Sequence, residues 1–139
     1  MICATLLLVF SLVNADHAWK GEQSSLQVEL DVFSGRPNPV WTLSNDQASA
    51  FDAKFKRLTT TTSNRGAYEG LGYRGFKVSG FDRYDEVKVW HDTVEATRGQ
   101  TRYHWVDVNR DLERFLLETS KSHLDADLYG MIATAVERK

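Results

Sequence analysis

Cysteine content sets the strongest limit on the fold of this chain. One cysteine, Cys3, occurs in 139 residues, and it lies within an apolar stretch at the N-terminus. Small domains in oxidising compartments are often held together by disulfides, but a single cysteine forms no intramolecular bridge. The fold must therefore be stabilised by packing of apolar side chains. Cys-liganded zinc, thiol catalysis and disulfide-rich toxin frameworks are excluded once the N-terminal stretch is removed.

The N-terminal stretch has the composition of an export signal. Twelve of the first 15 residues are apolar and none is charged. The apolar run from Ile2 to Val13 is too short to span a bilayer. Cleavage after Ala15 would leave Val13 and Ala15 at the −3 and −1 positions, where a signal peptidase prefers small or short residues. We predict a signal peptide at residues 1–15 and a secreted, extracellular protein. The alternative is an uncleaved N-terminal anchor.

Charge argues against a nucleic-acid partner. The net charge is −2, and residues 16–35, 36–77 and 78–139 sum to −3, +4 and −3. This imbalance is too mild for a surface that tracks phosphates. The basic middle segment is typical of a solvated face or of contact with an acidic partner. No segment after the leader is apolar enough to cross a membrane, so no membrane contact is expected after cleavage.

Residues 16–139 are predicted to form a single α+β domain. Alternating apolar residues predict strands at 25–33, 73–78, 86–94 and 100–106. The four residues at 59–62 are all threonine, which predicts an exposed loop, and residues 40–43 read as a short extended segment. The order of elements indicates an antiparallel sheet of about four strands with amphipathic helices packed on one face.

Three helices carry clear signals. The first begins after Ser44, which is spaced from Gln47 as in a capping box, and continues through an apolar stripe. Asp107 or Asn109 is expected to cap the second helix, and Ser122 or Asp125 the third. The three stripes consist of Ala48, Phe51, Phe55 and Leu58; of Leu112, Phe115, Leu116 and Thr119; and of Leu128, Ile132, Ala135 and Val136.

Two motifs match their patterns only in part. Residues 70–75 fit G-x-G-x-x-G, but a strand follows where a dinucleotide site needs a helix, so these glycines are interpreted as turn and close-approach positions. Residues 107–118 resemble a calcium loop, but Leu112 occupies the position that requires glycine. A helical stripe explains this segment better. No cofactor is expected beyond weak surface binding of calcium.

Two acid–base or metal arrangements remain as hypotheses. His91 and His104 lie on predicted neighbouring strands, and some registers bring them together with Asp92 as a metal site. The alternative is ordinary histidines that face solvent or are hydrogen-bonded. A small hydrolase would use one of the clustered carboxylates Asp82, Asp85 and Glu86 together with His91 or His104. A charged loop is the simpler explanation of that cluster, and no nucleophile elbow is present.

The segment at residues 33–44 has the parts of a recognition site. Two prolines stiffen the chain around Arg36 and Asn38, and Trp41 follows. A fixed cation, an amide and an aromatic ring are typical binding groups, and Arg74 is a fourth candidate. The alternative is scaffolding, in which Trp41 packs in the core and Arg36 or Asn38 bonds nearby carbonyls.

The same segment carries a resemblance. SGRPNP at residues 34–39, with Trp41 and Leu43 after it and GYRGF at residues 72–76, resembles a signature of small secreted or exported uncharacterised proteins, including extracellular matrix proteins of mollusc shells. The resemblance implies secretion and a non-enzymatic role in a shell-type, calcified matrix. The implied partners are other matrix proteins, polysaccharide or a mineral surface. A secreted hydrolase, or a secreted effector or venom protein that binds a host protein, are the alternatives.

Overall fold

The computed structural model of the protein describes residues 25–63 and 70–138. The signal-peptide prediction lies outside these residues. Within them, seven strands form one antiparallel sheet in the order β2-β1-β4-β5-β6-β7-β3. The strands are β1 (Gln27–Leu30), β2 (Val40–Thr42), β3 (Thr59–Thr60), β4 (Phe76–Ser79), β5 (Glu86–Trp90), β6 (Thr93–Arg98) and β7 (Thr101–Val106), and the helices are α1 (Asn45–Lys56), α2 (Asp111–Ser120) and α3 (Ala126–Glu137).

The α+β class is confirmed, but the estimate of about four strands is wrong. The strand predicted at 86–94 is divided by a turn at His91 and Asp92, so that β5 and β6 form a hairpin in which Trp90 pairs with Thr93. The extended segment at 40–42 pairs with β1 at one edge. At the other edge, Thr59 and Thr60 pair with β7, where an exposed loop was expected.

One face of the sheet forms the core. Alternate strand residues line up across the register, from Val28 through Val78 and Val87 to Ala96, and all four are fully buried. Helix side chains such as Phe51, Leu116 and Ile132 belong to the same apolar cluster. The helices therefore cover this face, as the amphipathic stripes predict. None of the helices in residues 25–63 and 70–138 has the length and apolar character needed to cross a membrane.

The caps predicted for the first and third helices are present. The Ser44 hydroxyl accepts a hydrogen bond from the Gln47 amide at 3.2 Å, and the Gln47 side chain accepts one from the Ser44 amide at 3.0 Å. Asp125 accepts from the Leu128 amide at 2.8 Å.

The predicted cap of the second helix is wrong in position: Arg110 is the N-cap residue of α2 and makes no side-chain cap bond. Asp107 instead accepts hydrogen bonds from the Leu112 and Glu113 amides across an intervening 3₁₀ turn. Residues 107–118 form this turn and a helix, as the apolar stripe predicted.

The other face of the sheet is polar. Glu29, Lys77, Lys88, Glu95 and His104 lie opposite one another across five strands. The Nε2 atom of His104 is 2.9 Å from the Oε2 atom of Glu95. The register that would bring His91 and His104 together does not occur, because His104 lies opposite Glu95 and His91 lies in the turn between β5 and β6.

The glycines at 70–75 serve turns and a close approach, as interpreted from the sequence. Gly72 and Gly75 both have positive φ, but only Gly75 lies against another strand, where an added Cβ would be 2.3 Å from the Val89 carbonyl oxygen.

A matched pair of alanine variants separates the cost of the positive φ from the cost of the close approach. Gly75→Ala is expected to lower the free energy of unfolding by about 2–3 kcal/mol, because it adds a collision to an unfavourable φ. Gly72→Ala has open space and should cost only about 1 kcal/mol. Urea denaturation measures both, and equal losses would contradict the close approach.

Candidate functional site

Residues 34–39, called the proline loop below, are held by the side chain of Asn38. Its Oδ1 atom accepts hydrogen bonds from the amides of Val32 at 3.1 Å and Phe33 at 2.8 Å. Its Nδ2 atom donates to Glu29 at 2.9 Å, on the polar face of the sheet. Asn38 therefore satisfies the backbone where β1 ends and fixes the path of the loop.

Arg74 holds residues 31–33, which lead into the proline loop and form its base. Its Nε and Nη2 atoms donate to the Oδ1 atom of Asp31 at 2.9 and 2.6 Å, and Nη2 also donates to the Phe33 carbonyl at 2.9 Å. Both side chains are largely buried, with 15% of Arg74 and 8% of Asp31 exposed. Burial alone would raise the pKa of Asp31, but the Arg74 hydrogen bond and the nearby charge of Lys77 outweigh it, so the pKa lies below its usual value.

Arg36 is the exposed member of the predicted set. The carbon at the centre of its guanidinium lies 3.6 Å from the centroid of the Phe33 ring. A cation over an aromatic face is attracted by the negative potential of the ring, which favours one orientation of the side chain. The loop therefore presents an oriented cation to solvent.

Trp41 lies in the core, apart from the other three. It is 4% exposed, and its Nε1 atom donates to the Thr119 hydroxyl at 3.1 Å. Its ring is stacked with His123 at a centroid distance of 5.8 Å and meets the edge of Phe76 at 6.3 Å. The structure thus groups Arg36, Asn38 and Arg74 at the loop, and it places Trp41 between the sheet and α2.

The carboxylates considered for a hydrolase occupy the opposite end of β5 from His91. Asp85 accepts a hydrogen bond from the Gly99 amide at 2.8 Å, and Glu86 begins β5. The histidines have other carboxylate neighbours, since His104 bonds Glu95 and His91 lies beside Glu113.

A second site, which the sequence did not indicate, lies around Glu113. This side chain is fully buried in α2, and its Oε1 atom accepts hydrogen bonds from the Tyr73 hydroxyl at 2.6 Å and the His91 amide at 2.9 Å. The Nδ1 atom of His91 is 3.9 Å from the same oxygen. The buried Oε2 of Glu113 and Nδ1 of His91 have no hydrogen-bond partner among the described residues.

The local environment shifts the ionisation of this cluster. Burial raises the pKa of Glu113 despite the hydrogen bonds from Tyr73 and His91. Burial and the charge of Arg110 lower the pKa of His91. Burial, followed by the charge of Glu113, raises the pKa of Tyr73. Burial also raises the pKa of Asp107. Desolvation therefore holds Glu113, His91 and Tyr73 toward their neutral forms.

Tyr73 and His91 line a cleft of about 980 Å³, together with residues that include Leu71, Arg110, Met131 and Arg138. Glu113 is fully buried behind this lining and bonds both Tyr73 and His91, so the cavity is called the Glu113 cleft below. Asn109, His91 and Arg110, the non-glycine residues with positive φ in the described part of the chain, all line it. Left-handed backbone is costly for such residues and concentrates at functional sites.

Comparison of the chain with family models, curated proteins and solved structures gives no match.

Proposed function

We propose that the protein is a secreted, non-enzymatic component of a shell-type extracellular matrix and that the proline loop binds other matrix components. The observation that carries the proposal is Arg36, an exposed cation on a loop whose base is fixed by Asn38 and Arg74. The apolar leader and the resemblance of residues 34–39 to matrix proteins support the extracellular setting.

The loop suits recognition because little of it must become ordered on binding. The hydrogen bonds of Asn38 and Arg74 fix the backbone before a partner arrives, which reduces the entropy lost in the complex. A guanidinium donates two parallel hydrogen bonds to a carboxylate or sulfate. The partner groups expected at Arg36 are therefore the anionic groups of a matrix protein, an acidic polysaccharide or a mineral surface.

Retention on insoluble matrix tests this function. Arg36→Ala is expected to weaken co-sedimentation of the processed chain with matrix from the secreting tissue about tenfold, which corresponds to about 1.4 kcal/mol. Arg36→Lys should fall between alanine and the natural residue, because lysine keeps the charge but loses the planar fork. The thermal midpoint should stay unchanged in both variants, since exposed substitutions cost less than about 0.5 kcal/mol.

Arg102→Ala is the matched control, because Arg102 is also an exposed arginine but lies on β7, outside the proline loop. Equal losses for the Arg36 and Arg102 variants would mean that the matrix attracts positive charge in general. Unchanged retention of Arg36→Ala would remove the loop as the contact site. Loss of folding in that variant would assign Arg36 to scaffolding.

A further inference from the structure

Unfavourable features gather at the Glu113 cleft and directly behind it. A buried ring nitrogen of His91, which lines the cleft, and a buried carboxyl oxygen of Glu113, behind the lining, lack hydrogen-bond partners within the described residues. Left-handed backbone at His91, Asn109 and Arg110 adds a further cost at the same place. Buried polar atoms in native proteins are nearly always satisfied, so an unsatisfied lining residue, His91, with left-handed backbone beside it indicates a site for a ligand.

The mouth of this cleft is apolar. Leu71 is 85% exposed and Met131 is 54% exposed, and both line the cleft. They are two of the five large apolar side chains exposed within residues 25–63 and 70–138. Exposed apolar residues that flank a concavity mark binding surfaces, and the cleft volume falls in the range of small-molecule sites.

The polar part of the cleft is cationic. Arg110 donates through Nη1 to the carbonyls of Val136 at 2.5 Å and Arg138 at 2.6 Å, and its charge acts on both His91 and Glu113. A guanidinium has five N–H donors, and these two bonds use only those of one nitrogen. Arg138 adds a second guanidinium to the lining, and Asp92 adds one carboxylate, so the charged side chains of the lining sum to +1. An anion is therefore favoured at this position.

We propose that the Glu113 cleft binds a small amphipathic carboxylate. The carboxylate lies against Arg110 and the imidazole of His91, and the apolar tail lies between Leu71 and Met131. This ligand complements both the cations and the apolar mouth. The site is separate from the proline loop, and it does not depend on the proposed matrix function.

Binding of such a ligand is coupled to protons. The groups that face His91 are Glu113 from the first turn of α2, Arg110 from the 3₁₀ turn before α2, Asp92 from its own turn, and Tyr73 from the segment before β4. A bound carboxylate opposes the charge of Arg110 and favours the imidazolium form of His91. Protonation of Glu113 removes a negative charge and acts in the same direction. Affinity should therefore rise as the pH falls from 7.5 to 5.5.

Calorimetric titration with octanoate, and with octanamide as its uncharged analogue, tests the proposal. Saturable octanoate binding is expected, at least threefold tighter at pH 5.5 than at pH 7.5, and octanamide should bind at least tenfold more weakly than octanoate. His91→Asn keeps a residue type that tolerates positive φ, and it should reduce the pH dependence.

Two exposed positions give a matched pair for locating the site. Met131→Glu places a negative charge at the mouth and should weaken octanoate binding at least tenfold. Val40→Glu, at a position 56% exposed on β2, should leave binding unchanged. Absence of saturable octanoate binding up to about 10 mM would overturn the proposal. Equal affinity for octanamide, or unchanged affinity in folded Met131→Glu, would overturn it as well.

Discussion

Trp41→Ala is expected to lower the free energy of unfolding by about 3–5 kcal/mol. The indole joins the edge strand β2 to the helical layer, because its ring lies against Phe76 of β4 and His123 after α2 and its N–H bonds Thr119 within α2. Truncation would leave a cavity between sheet and helix that the backbone of both elements keeps open. A loss of this size is a large fraction of the stability of a small domain, which is about 5–15 kcal/mol.

Two further variants separate the contributions of this residue. Trp41→Phe keeps a ring in the core and should cost about 1–2 kcal/mol, because the Thr119 hydroxyl still donates to the Leu116 carbonyl at 2.7 Å. Val40→Ala, at the exposed neighbour, should cost less than about 0.5 kcal/mol. Urea denaturation measures all three. A loss below about 1 kcal/mol for Trp41→Ala would contradict the core position and restore the ring as a candidate binding surface.

The helices were predictable because their signals are local. The capping box at Ser44 and Gln47 and the apolar pair Phe51 and Phe55 lie within twelve residues of one another. Such patterns need no knowledge of distant contacts, since the cap satisfies amides of its own helix and the stripe follows helical spacing.

One of the three strands missing from the predicted count was hidden by a turn without the usual turn residues. Two-residue hairpins favour glycine or asparagine at positive φ, whereas this turn has His91, with a φ of 52°. The sequence does contain a signal, because the buried positions change from odd numbers, Val87 and Val89, to even numbers, Val94 and Ala96. Facing residues across a hairpin share a face, so this change of phase marks the turn.

The two candidate sites also differ in whether local sequence could predict them. Arg36 and Asn38 are close in sequence and each is followed by a proline, so local sequence indicated a fixed loop. Tyr73, His91 and Glu113 come from three separate segments, and their meeting depends on how α2 packs on the sheet. The buried face of the second helix is wider than the predicted stripe, because it also includes Glu113 and Leu117. That width is set by tertiary packing rather than by local periodicity.

Arg74→Ala is the second substitution expected to cost about 3–5 kcal/mol, because it leaves the buried carboxylate of Asp31 with Lys77 at 3.5 Å as its remaining ion pair. Arg74→Lys keeps the charge but loses the fork that bonds both Asp31 and the Phe33 carbonyl, so about 1–2 kcal/mol is expected. In a double-mutant cycle, Asp31→Ala with Arg74→Ala should cost less than the sum of the two single variants. Additive costs would show that the two side chains act independently.

The pH dependence of the free energy of unfolding tests whether the ionised carboxylate of Asp31 holds Arg74. Because the folded-state pKa of Asp31 lies below the unfolded value, its contribution to stability is full above about pH 4 and is lost as the pH falls through the folded-state pKa. The stability difference between the natural chain and Asp31→Ala should therefore shrink between pH 5 and pH 2, as measured by urea denaturation at each pH. A difference that stays constant over this range would mean that the ionised carboxylate does not hold Arg74. The base of the proline loop, and with it the orientation of Arg36, would then need another support.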